Sequence, residues 1–170
     1  MCLSPPFVAG WLLGIDAGQC HTLSLRHSRL DPADTAALAS RLAVDTTLAT
    51  LDLTSASFKL GAGVDVISAL ADALATNTAL GTLVLSNVAV GDDGAAALAA
   101  ALKTNGALET LELRHCYIES AGATALAAAV ATNGRLASLD LRSNVTLTRG
   151  TNPLSTVLDV ADGGGGFSPT

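Results

Sequence analysis

Three arginines and three carboxylates fall in adjacent positions of a recurring pattern along this chain: Arg26, Arg114 and Arg142 in one, and Asp52, Glu112 and Asp140 in the other. A guanidinium offers a planar fork of donors that a carboxylate accepts. Such residues can therefore grip a partner's opposite charges or neutralise one another. Other side chains suited to proton transfer, nucleophilic attack or metal binding are few: His21, His27, His115, Cys2, Cys20 and Cys116. No Ser/His/Asp or Cys/His set stands at a catalytic spacing, and no CxxC pair suggests zinc. The run Gly163 to Gly166 lacks the Lys-Ser/Thr of a phosphate loop. These absences point to a non-enzymatic protein without cofactor or metal.

Elements that could position the charged residues are set by a repeat. Leu80, Leu83 and Leu85 return as Leu108, Leu111 and Leu113, and then as Leu136, Leu139 and Leu141, an offset of 28 residues. Gly94, Leu98 and Leu102 return as Gly122, Leu126 and Val130 at the same offset. Units start at 20, 48, 80, 108 and 136, so the steps are 28, 32, 28 and 28. The four extra residues of the second unit fall around Lys59 to Asp65. A fixed period of this size marks a solenoid, whose units bury their apolar faces only against their neighbours.

Each unit changes period halfway. Leu111-Glu112-Leu113-Arg114 alternates, the pattern of a strand with one buried face. Gly94 to Lys103 sets Leu98 and Leu102 four apart among alanines, one apolar stripe on a helix. Asp31-Pro32-Ala33-Asp34 reads as an N-cap, a proline at the first helical position and a first-turn acid. Ser120 is the expected cap of the fourth helix. Asn77, Asn105 and Asn133 share a register that Asp45 holds in the first unit, with Gly106 and Gly134 after two of them. They are expected to end helices in the left-handed conformation. The fifth unit keeps Gly150, Leu154 and Leu158 in register, although Pro153 would shorten or kink a helix there.

This pattern, L-x-x-L-x-L-x-x-N/C-x-L with a helix in each unit, resembles the leucine-rich repeats of the ribonuclease-inhibitor type. The repeat regions of Ran GTPase-activating proteins and NACHT receptors are similar. The resemblance implies an α/β solenoid: a short horseshoe with a parallel sheet on the concave face and helices on the convex one. Its expected domains are an amino-terminal edge at 1–19, repeats at 20–158 and a flexible glycine-rich tail at 159–170. The N/C column departs from the family, because only Cys116 and Asn144 match while Ser28, Ala56 and Val88 do not. Looser turns are expected there. Cys20 takes a core leucine position and Cys116 the N/C position, so both read as buried thiols. Asn144-Val145-Thr146 is a glycosylation sequon, but Asn144 fills the inward turn position and reads as structural.

Outward strand residues then form columns: Thr22, Thr50, Thr82, Thr110, Ser138; Ser24, Asp52, Val84, Glu112, Asp140; Arg26, Thr54, Ser86, Arg114, Arg142; and His27, Ser55, Asn87, His115, Ser143. His27 and His115 lie three strand spacings apart, about 14 Å, too far to share a metal or proton. By the resemblance, a partner protein contacts the two middle columns through Arg26, Asp52, Glu112, Arg114, Asp140 and Arg142. The competing reading is that these charges neutralise one another, each cross-strand pair adding about 0.2–1 kcal/mol. The resemblance also implies an alternative function, regulation of a small GTPase, for which an exposed Arg26, Arg114 or Arg142 would be the working group.

Composition bounds the partners. The net charge of −6 argues against nucleic acid and anionic membranes, which select basic patches. An apolar fraction of 49% with only 3% aromatics implies an aliphatic core. The run Phe7 to Ile15 lacks a basic flank and is too short to span a bilayer as a helix. Three cysteines without tight spacing make no disulfide framework, so a reducing, cytoplasmic location is expected, with the nucleus as the alternative. Helix-surface residues Ala96, Ala99, Ala100, Ala127 and Ala128 are expected on the convex exterior.

Overall fold

The computed structural model describes residues 20–58 and 63–144. Each unit opens on a three-residue strand: β1 (Thr22–Ser24), β3 (Thr50–Asp52), β5 (Thr82–Val84), β6 (Thr110–Glu112) and β7 (Ser138–Asp140). Two shorter strands, β2 (Arg29–Leu30) and β4 (Ser57–Phe58), pair with each other. Helices α1 (Pro32–Val44), α2 (Gly63–Thr76), α3 (Gly91–Leu102) and α4 (Ser120–Val130) alternate with the strands. Among the described residues the main sheet runs β1-β3-β5-β6-β7, all parallel, and each helix packs on the next. This is the expected α/β leucine-rich-repeat-like solenoid. The amino-terminal edge, the glycine-rich tail, the fifth-unit helix and most of the insertion at 59–65 lie outside the described residues.

Period-2 alternation works as expected. Leu23, Leu51, Leu83, Leu111 and Leu139 are buried at the strand centres, with both neighbours on each strand turned outward and only part-covered. Leu38, Leu42, Leu70, Leu74, Leu98, Leu102, Leu126 and Val130 form the helical side of the same core. Fully burying one such side chain is worth about 1.5–3 kcal/mol. Among the described residues the core runs continuously from unit to unit on aliphatic side chains, with Phe58 packed partly buried against it.

Several local expectations need correction. Asp31 does cap α1: its carboxylate accepts from the Asp34 N–H, and Asp34 accepts from the Asp31 N–H, a reciprocal capping box. Ser120 does not cap α4. Asp92, from α3, accepts from the N–H groups of Glu119 (2.7 Å) and Gly122 (3.0 Å), so one unit caps the next. A Cβ at Gly122 would meet Asp92 Oδ1 at 2.6 Å and Ala95 Cβ at 2.8 Å, which is why the position is bare. Ala99 and Ala127 belong to the buried core, because small residues let adjacent helices approach closely, while Ala96, Ala100 and Ala128 are exposed. Cys20 is buried but disulfide-bonded, not a thiol.

Asn77, Asn105 and Asn133 are not left-handed. Each instead joins two units through its side chain. Asn105 Nδ2 donates to the Leu74 and Asn77 carbonyls of the preceding unit (2.6 and 2.9 Å). Its Oδ1 accepts from the Ala107 and Leu108 N–H groups of the following turn (3.0 and 2.8 Å). Asn77 and Asn133 repeat the pattern. The carboxamide satisfies helix-end groups that would otherwise be stranded in the interior.

Candidate functional site

Strand register assembles the outward columns. Thr22, Thr50, Thr82, Thr110 and Ser138 stand opposite one another, as do Ser24, Asp52, Val84, Glu112 and Asp140. Ladder bonds continue past the strands: Leu25, Leu53, Leu85 and Leu113 each donate to the carbonyl of the next unit at 2.7–2.9 Å. The third and fourth columns are thereby held in the same order.

All six predicted contact residues lie on this face, and they pair among themselves. Arg26 approaches Asp52 at 3.5 Å. Asp140 accepts from Arg114 Nε at 2.5 Å and from Arg142 Nη2 at 2.7 Å, so one carboxylate joins two arginines. Glu112 reaches Arg114 only at 4.0 Å. Burial pushes the Asp140 carboxyl up. The side-chain and backbone hydrogen bonds from Arg142, with the Arg114 bond and charge, outweigh that and hold it below the usual carboxylate range. Cross-strand neutralisation is thus part of what these residues do.

The fourth column holds a feature the sequence reading missed. His27, Ser55, Asn87, His115 and Ser143 all have positive φ, between 52° and 62°. In the first three units the next residue's N–H closes a turn back onto Leu25, Leu53 or Leu85. Asn and His are enriched in this conformation, so that column's composition was the available signal.

The N/C column is partly repaired. Asn144 is buried; its Nδ2 donates to the Leu113 and Leu141 carbonyls and its Oδ1 accepts from the Cys116 and Ile118 N–H groups. Drawing residues 116 and 118 onto one oxygen bends the intervening backbone, and Tyr117 between them takes φ 57°. Cys116 is a buried free thiol that bonds the Leu85 and Arg114 carbonyls. Burial pushes it up to about 11, against opposing backbone hydrogen bonds at Val88 and Asn87. Ser28 donates to the Leu25 carbonyl and so replaces one of the bonds Asn144 makes. Ala56 and Val88 cannot: at Ala56 the backbone turn bond of 2.9 Å holds the Leu53 carbonyl, and at Val88 the turn bond of 3.1 Å shares the Leu85 carbonyl with the Cys116 thiol.

Between the two charged groups lies a groove of about 450 Å³. Arg26, Asp52, Glu112 and Arg114 line it, and Val84 and Ser86 of the third unit are among its other lining residues. Asp140 and Arg142 are not in its lining. Val84 and Ser86 stand in the two middle columns, but they are not among the six contact residues expected from sequence, because neither carries charge. Among the described residues no group of three or more His, Cys, Asp or Glu is placed to hold a metal ion. No helix there is long and apolar enough to cross a membrane.

Strand, helix and outward face together define a short leucine-rich-repeat-like solenoid. No family model and no curated protein matches the chain. Its fold is similar to the solved leiomodin-1 actin-binding site 2, at a TM-score of 0.70 and 17% identity over 84% of this chain and 83% of that one.

Proposed function

We propose that this chain is a non-enzymatic interaction module that holds a partner protein on its concave sheet, and that its 28-residue repeats are of the ribonuclease-inhibitor type. The observation that carries the reading is the in-register outward face, ordered before any partner arrives and opening into the groove over the third strand. A preformed surface spends little binding energy on ordering itself. The fold likeness to an actin-binding domain makes actin the first partner to test. Support for the GTPase alternative is weaker, since Arg26, Arg114 and Arg142 are each engaged by a carboxylate and none stands ready as an unpaired finger.

Val84→Trp would fill the centre of the face whatever the partner's chemistry. The wild type should co-sediment with actin filaments or capture a partner from extract, and the variant, with unchanged circular dichroism, should lose at least ten-fold in affinity. Equal recovery of every partner by both proteins would overturn the concave-face reading.

A further inference from the structure

The third unit breaks the charged face. Its outward residues Thr82, Val84, Ser86 and Asn87 carry no charge, and the register sets Val84 between Asp52 and Glu112 on the neighbouring strands. These two carboxylates are not equivalent. Asp52 accepts from the Thr54 N–H and hydroxyl at 2.9 and 2.6 Å and also faces Arg26. Among the described residues no hydrogen bond ends on the Glu112 carboxylate, and its nearest cation, at 4.0 Å, is an arginine whose Nε is already on Asp140.

A second group on the groove is also unspent. Ser86 is 7% exposed, and its Oγ is buried without a hydrogen-bond partner. Buried hydroxyls are normally satisfied, and an orphan costs about 1–3 kcal/mol. Ser86 lines the same groove as Glu112 and lies two residues beyond Val84 on the same strand face. Its χ1 has three staggered positions, and a turn between them would be the way the hydroxyl meets a donor in the groove.

We infer that this groove receives a basic side chain, Lys or Arg, from an extended basic segment of the partner protein. The inference rests on the concave-face reading and gives the partner its chemistry. Val84 supplies an apolar floor for the methylenes, Glu112 the counter-charge and Ser86 a hydrogen-bond acceptor. Arg26 and Arg114 also line the groove, but each already faces a carboxylate, Asp52 or Asp140, so an acidic segment would have to displace those pairs and would meet Asp52 and Glu112 across Val84. The chain's net charge of −6 steers the same choice at longer range.

The test measures fluorescence polarisation of labelled peptides at low ionic strength against the full chain. One peptide alternates Lys with Ala, a second Arg with Ala, and a third Glu with Ala. The basic peptides should bind and the acidic one should not. Glu112→Gln should weaken the basic peptides about ten-fold and Ser86→Ala about three-fold. Glu109→Gln, which loses the same charge at a position paired with Arg135 outside the groove, should change binding less than two-fold. Equal losses for Glu109→Gln and Glu112→Gln would reduce the effect to net charge and overturn the inference, as would failure of both basic peptides to bind. If Val84→Trp abolishes partner capture while Glu112→Gln leaves it unchanged, the basic-side-chain inference falls and the concave-face reading stands. If neither substitution affects capture, both fall.

Discussion

Asp140 shows how one side chain can serve structure and surface together. Its carboxylate accepts from Arg114 and Arg142 and from the Arg142 backbone N–H, while only 11% of its side chain is exposed. Both arginines are about two-fifths exposed, which discounts the pairing. The folded carboxyl is held below its ordinary 3.8, so its stabilisation is present above that value and lost as pH falls through the lower folded value. Asp140→Asn should therefore cost about 1 kcal/mol at pH 7, and thermal melts of the two proteins should converge in acid, below the ordinary carboxyl pKa of about 3.9. A gap that stays constant from neutral pH into acid would show that the charge is not the source. Gly122 makes a second case. Gly122→Ala drives a methyl onto Asp92 and Ala95 and should destabilise by about 2 kcal/mol in urea titrations. In an Asp92→Ala background the penalty should shrink but not vanish, because the nearest of the three obstacles, Asp92 Oδ1, is gone while Ala95 Cβ and Asp92 Cα remain.

Among the elements, the asparagine ladder is the most informative. Asn105 spends its carboxamide in both directions, donating to the preceding unit and accepting from the following turn. Asp45 holds the same register but only accepts, from the Thr47 and Leu48 N–H groups. Asn105→Asp should cost about 3 kcal/mol in chemical denaturation, since it removes both donated bonds, to the Leu74 and Asn77 carbonyls, and adds a buried charge beside them. Asp45→Asn keeps the accepting oxygen and should cost less than about 0.5 kcal/mol. Similar losses for both would mean that the donated bonds contribute little. This ladder also marks where the sequence was legible and where it was not. Spacing revealed that the asparagines belong together and end helices. It misassigned the means, because a left-handed backbone and a reaching side chain favour the same residue type. The cap of α4 was hidden for a related reason: Asp92 lies about one period before the N–H groups it serves, and local sequence rules look only a few residues away.

Across the whole molecule, the leucines that define the period were enough to place every main strand and all four described helices. Each buries a face against a neighbour of identical pattern, so one decision about register settles the rest. The candidate site was less legible. Its charged rim could be read from columns of outward residues. Its floor could not be singled out, because Val84 carries no charge and Ser86 matters for a missing bond, which leaves no trace in a one-dimensional pattern. One consequence concerns force. The ladder bonds between units lie along the stacking direction, with Leu25 donating to Asp52, Leu53 to Val84, Leu85 to Glu112 and Leu113 to Asp140. A pull applied between the first and last strands loads these rungs in series. The solenoid under tension is a zipper that opens one tooth at a time, and each opened tooth lengthens the tether by about one repeat of chain.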